Sequence, residues 1–123
     1  MNKNNPRFLK VRWVDHTTPE PKKTADFYSE LLGFVQDPVD EGNGKTSYSM
    51  NNTEGNEIFG IVDEEKFKDW PSTWVVYFEV ENFEETCKNI ENLGGEILIK
   101  KEKSCLMKDP SGAPILISPE YKS

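Results

Sequence analysis

From Phe8 to Val14 the chain alternates, with Leu9, Val11 and Trp13 on one face and Arg12 on the other, the two-residue period of a strand. The period then lengthens. Ala25, Tyr28, Leu31 and Leu32 recur at helical spacing behind Thr17-Thr18-Pro19. There a threonine N-cap and a proline at the first helical position predict a helix over residues 20–32 that stops at Gly33. Short strands are expected around residues 34–38, 45–51 and 56–62, parted by the turn-rich segments DEGNG and NNTEGN. EEKFKDWPS, residues 64–72, reads as a connector with at most one helical turn, since Pro71 biases Trp70 away from helical backbone.

The pattern begins again at TWVVYFEV, Thr73 to Val80, whose β-branched and aromatic residues make it the best strand in the chain. Asn82 and Glu85 form a capping box, Phe83, Cys87, Ile90 and Leu93 follow at helical spacing, and Gly94-Gly95 is the stop. Strands are expected at Glu96 to Lys100, Ser104 to Lys108 and Ala113 to Ser118. The last two are joined by Asp109-Pro110-Ser111-Gly112, which carries the residues a type I turn prefers.

The order is therefore strand, helix and three strands, twice. It predicts a single α+β domain of two βαβββ modules, one over residues 7–62 and one over 73–120, with a connector at 63–72. One helix per module covers one face of its strands. The uncovered faces are left to curl around a shared cavity, where a ligand would sit.

Composition narrows the partners. The 123 residues carry 15 Lys and Arg against 22 Asp and Glu, a formal net charge of -7, with no basic block. Nucleic acid and anionic membranes are poor partners for such a chain. No run approaches the roughly 20 apolar residues of a membrane span, and no signal-like stretch follows the first residues, so a soluble, cytoplasmic protein is expected. Cys87 and Cys105 form no C-x-x-C pair and fall on apolar positions, as buried structural thiols do.

The segments ADFYSELLGF (25–34), YFEVENFEETCKNIENLGG (77–95) and KDPSGAPILISPE (108–120), in this order and spacing, resemble the vicinal oxygen chelate superfamily, which includes glyoxalase I, bleomycin-resistance proteins and extradiol dioxygenases. The resemblance implies an incomplete eight-stranded barrel around a cavity, commonly in a homodimer. In catalytic members four side chains, typically His and Glu, hold a divalent metal with open positions that chelates neighbouring substrate oxygens. Carried over residue by residue, the first-strand His falls on Trp13, the second-module His on Val75 or Thr73, and the last-strand Glu on Leu116. The remaining carboxylate falls within residues 57–61, where Glu57 is the only acid. Trp13 and Leu116 cannot coordinate a metal, so the resemblance implies the fold without a metal or other cofactor.

If the cavity side carries over, Trp13, Phe59, Val75, Tyr77 and Leu116 line an apolar, aromatic pocket or pack the barrel shut; Tyr48, Met50 and Met107 are candidates to complete the wall. Glu79 shares the Val75 and Tyr77 face and Asp15 the Trp13 face, each as a ligand's hydrogen-bond acceptor, a general acid or base, or a solvated carboxylate at a strand end. His16, the only histidine, lies opposite Trp13 and is expected exposed or capping a turn. Glu57 and Glu120 read as solvent-facing. KFKDWPSTW is a mobile lid or an ordinary connector whose Trp74 packs under a helix. The leading expectation is a metal-independent small-molecule binder using Trp13, Phe59, Val75, Tyr77, Glu79 and Leu116. The alternatives are a lyase, isomerase or dioxygenase with an unusual metal site drawn from Glu57, Glu79 or His16, and a non-catalytic dimeric module that acts through a protein partner.

Overall fold

A computed structural model describes residues 8–63, 70 and 72–121, and its elements follow the expected order. They are β1 (Phe8–Thr17), α1 (Pro21–Leu32), β2 (Val35–Gly42), β3 (Lys45–Asn51) and β4 (Glu57–Val62), then β5 (Thr73–Val80), α2 (Phe83–Asn89), β6 (Glu96–Lys100), β7 (Cys105–Lys108) and β8 (Pro114–Pro119). A short 3₁₀ turn, Glu91–Leu93, extends α2. The fold is α+β with two βαβββ modules, and most of the suggested lid lies outside the described residues.

The chain packs as two units whose boundaries fall inside β1 and β5. The first runs from Val14 to Val75; the second joins the chain up to Trp13 with Val76 onward.

In the first unit the strand order is β2-β3-β4-β1. β3 is antiparallel to both neighbours, and β1 runs parallel to β4 with Asp15 opposite Gly60. Pro38 does not end β2, which continues to Gly42, because an edge strand tolerates a residue without an N–H. The helix begins one proline later than expected. Pro21 occupies its first turn, while the Thr18 hydroxyl accepts the Glu20 N–H at 3.1 Å in a turn ahead of the helix. Gly33 ends it as expected, left-handed at φ 80° with its N–H on the Ser29 carbonyl. Ala25, Met50, Phe59 and Ile61 form the core beneath α1, with Val14, Tyr28, Phe34 and Tyr48 packed against them. Leu31 and Leu32, expected on that buried face, are exposed. The place next to the sheet is held instead by polar residues: Gln36 on β2 donates to Asp26 at 2.9 Å and Ser29 at 3.1 Å, and accepts from Lys22 at 3.0 Å.

The second unit repeats the topology in the order β5-β8-β7-β6, with β5 parallel to β8. The Asn82 side chain caps α2 by accepting the Glu85 N–H at 3.3 Å. Val80, Phe83, Cys87, Ile90, Cys105 and Ile117 make its core, joined by Phe78, Ile97, Met107 and Ile115. Leu93, expected on the buried face of the helix, is exposed because the last turn tightens and ends at Gly94. Gly95 is required by close approach: a Cβ there would meet Ile90 Cγ2 at 2.9 Å and the Lys108 carbonyl oxygen at 3.1 Å. The β7–β8 hairpin turns as its residues predict. The Asp109 carboxylate accepts the Ser111 hydroxyl at 2.6 Å and the Ser111 and Ala113 N–H groups at 2.8 and 3.1 Å, which holds its carboxyl below the usual range.

Candidate functional site

Strand alternation sorts the second unit into two faces. Phe78 and Val80 of β5, Cys105 and Met107 of β7, and Ile115 and Ile117 of β8 belong to the core with α2. Tyr77, Glu79, Leu106, Leu116 and Ser118 therefore occupy the face without a helix. Register makes this face a grid: Tyr77 stands opposite Leu116, Leu116 opposite Leu106, and Glu79 opposite Ser118. Leu106 and Leu116 are buried and Tyr77 is half-buried.

Two polar groups interrupt the apolar grid. Glu79, an alternative solvated carboxylate on sequence grounds, is only 3% exposed, and its Oε1 accepts the Tyr121 N–H at 2.9 Å. Ser118 is 1% exposed, and its hydroxyl is buried without a hydrogen-bond partner. The Arg12 guanidinium lies over the Tyr121 ring, 4.8 Å from its centroid. Trp13 belongs to the same unit and is half-buried; Val75, two residues before Tyr77 on β5, is fully buried.

Phe59 does not join this set. It lies in the core under α1, edge-on to Tyr28 at 5.7 Å and to Phe34 at 5.1 Å, so its place as a pocket wall is corrected to a packing role. Tyr48 and Met50 also pack under α1 and Met107 under α2, and none of the three completes a wall on the helix-free faces.

His16 is placed on the side opposite Trp13, as alternation demands, but it is neither exposed nor a turn cap. Its ring is half-buried and edge-on to Trp74 at 4.7 Å, with Tyr28 at 6.2 Å. Nδ1 is buried and bonds to no other residue, and burial pulls the imidazole pKa below its ordinary 6.5. Trp74 reaches this cluster from β5 and also packs on Phe59 at 5.0 Å. Sequence reading missed the cluster because its members lie on β1, α1, β4 and β5 and share no local signal.

Glu57 is exposed and accepts the Ser49 hydroxyl at 3.2 Å; Glu120 is exposed. The two thiols, far apart in sequence, meet inside the second core, where burial first and the neighbouring Cys105 next push the Cys87 pKa up to about 12. Such thiols are poor nucleophiles.

The divalent metal implied by the resemblance does not fit these residues. Trp13 and Leu116 offer no donor to a metal at two of the four ligand positions, Val75 offers none at a third under one of its two alignments, and among the described residues no three His, Cys, Asp or Glu side chains come together.

Comparison with known proteins gives this geometry a context. Residues 10–115 match the sequence model of the Glyoxalase/Bleomycin resistance protein/Dioxygenase superfamily. The anthracycline biosynthesis protein DnrV of Streptomyces peucetius is 23% identical over 124 residues, covering 85% of this chain and 45% of that protein. The chain thus spans less than half the length of this curated relative. Among solved structures, an extradiol ring-cleaving dioxygenase from B. fuscum superposes with a TM-score of 0.65 at 14% identity, over 95% of this chain and 34% of its own. A Mn(II)-bound glyoxalase from Novosphingobium aromaticivorans does so with a TM-score of 0.64 at 11% identity, over 94% and 40%. At these identities the two structures speak for the fold alone.

Proposed function

Since the chain belongs to the Glyoxalase/Bleomycin resistance protein/Dioxygenase superfamily, we propose that it is a metal-independent member that binds a small, largely apolar or aromatic molecule. The site is the helix-free face of the second unit, with Tyr77 and Leu116 as its floor, Glu79 as its acceptor, and Trp13 continuing the wall. One observation carries the reading: a registered apolar grid holds a buried carboxylate and a buried hydroxyl with no partner of its own. A face meant only for packing has no use for an unpartnered hydroxyl, or for a carboxylate where an uncharged amide would hold the Tyr121 N–H.

Capture needs no chemistry beyond this. The grid removes apolar surface from water at about 25 cal/mol per Å², Tyr77 and Trp13 offer ring faces for stacking, and Glu79 orients a hydrogen-bond donor. A relative named for anthracycline biosynthesis supports planar polycyclic aromatics as the ligand class. The protein acts in the cytoplasm as a homodimer, a reading to which the exposed Phe27, Leu31 and Leu32 of α1 lend support.

The test is a thermal-shift and calorimetric screen of the purified protein against planar polyketide antibiotics and aromatic metabolites. At least one compound class should raise the melting temperature, and Leu116→Glu, which puts a charge on the apolar floor, should abolish the shift. A screen in which no planar aromatic binds overturns the proposal.

A further inference from the structure

The fold makes incomplete use of the two polar groups on this face. Glu79 holds the chain end by accepting the Tyr121 N–H at 2.9 Å, a task that the neutral amide oxygen of a glutamine performs equally well. Its negative charge is left over. No ion pair reaches Glu79 among the described residues, and Arg12 lies over the Tyr121 ring instead. Buried carboxylates are ordinarily paired, because removing a charge from water is costly without a compensating partner. Ser118, opposite Glu79 in the register, likewise carries a hydroxyl that nothing in the fold satisfies.

One kind of ligand group answers both. A protonated amine donates to the carboxylate and to the hydroxyl oxygen, replaces the missing counter-charge, and lies near the ring of Tyr77, where a cation is favoured. We propose that Glu79 and Ser118 form a subsite for a protonated amine, so that the protein selects aminated aromatic molecules over neutral ones of the same shape. This deepens the proposed function and rests on it.

Isothermal titration with daunorubicin, a planar tetracycle bearing a protonated amino sugar, and with its uncharged N-acetyl derivative tests the subsite. The amine is expected to bind at least about tenfold more tightly, the scale of a charge-assisted hydrogen bond. Glu79→Gln should erase that preference while leaving the melting temperature in place, since its amide still holds Tyr121. Ser118→Ala should weaken the amine's binding although the free protein is no less stable, because the substitution removes an unsatisfied buried hydroxyl. Equal affinity for the two compounds, or a preference that survives Glu79→Gln, overturns the subsite and leaves the proposed function standing. Binding of neither compound overturns the subsite, and the proposed function falls with it only when the wider screen also finds no planar aromatic ligand.

Discussion

The two units repeat one topology and fill it with different chemistry. Beneath α1 the core is aromatic: Tyr28, Phe34 and Phe59 meet edge to face, and His16 and Trp74 extend the stack. Beneath α2 the core mixes Phe78 and Phe83 with Val80, Ile90, Ile117 and the two thiols. The helix-free faces differ as well. In the first unit the central row reads Asp15, Gly60, Ser49, and nearby hydroxyls are satisfied, Ser47 on Glu41 at 2.6 Å and Ser49 on Glu57 at 3.2 Å. In the second unit the row reads Tyr77, Leu116, Leu106, with the carboxylate and the unsatisfied hydroxyl of Glu79 and Ser118 beside it. A βαβββ repeat specifies where side chains stand and leaves open what they are. Which groups a face presents is therefore settled by alternate residues of a few strands.

Substitutions that act on one unit alone test this contrast, and the largest effect belongs to the aromatic core. Phe59→Ala should cost about 3–5 kcal/mol of stability in urea denaturation while leaving the affinity of any ligand of the second unit unchanged at temperatures where the variant is folded. A specific loss of affinity would return Phe59 to the site. In the second unit, Gly95→Ala should cost about 1–3 kcal/mol by overpacking, because the new methyl has no room between Ile90 and the Lys108 carbonyl. A neutral result would show that this junction yields.

Acid should weaken the first unit in particular. His16 takes up a proton less readily in the fold than in the unfolded chain, so between its lowered pKa and 6.5 the unfolded state holds more protons. Stability then rises with pH through that window and falls on acidification. His16→Phe, which keeps a ring beside Trp74 without a titrating nitrogen, should flatten the pH dependence of the unfolding midpoint between pH 5 and 7. An unchanged slope would assign it to other groups. The smallest effect concerns the sulfur-bearing core: with burial pushing Cys87 up to about 12, neither thiol should react with Ellman's reagent at pH 8 until the protein is unfolded, whereupon both should. Prompt labelling of the native protein would mean that this core opens.

Much of the second unit was legible from residues close in sequence. The Asn82 cap, the Asp109 turn and the alternation of TWVVYFEV that puts Tyr77 and Glu79 on one face all behave as their local patterns predict. Phe59 was not legible, because EIFGIV is nearly continuous in apolar residues and has no alternation from which to read a face, while the register shift between Met50 and Asn51 adds a further offset. Both Pro19 and Pro21 satisfy the rule for a first-turn proline, and the choice between them follows from the turn that Thr18 makes with Glu20. Leu31, Leu32 and Leu93 sit at helical spacing yet are exposed: Gln36 bonds α1 to β2 through Asp26 and Ser29, and Leu93 falls in a tightened last turn.

The sequence by itself determined the order of the elements, their capping and turn chemistry, the superfamily and the absence of donors at Trp13, Val75 and Leu116, because each of these depends on residue identity or on neighbours a few positions away. The burial of Glu79, the unsatisfied Ser118, the aromatic surroundings of His16 and the meeting of Cys87 with Cys105 were decided only by the tertiary structure. Each joins strands or helices distant in the chain, and their register follows from packing that no local pattern records.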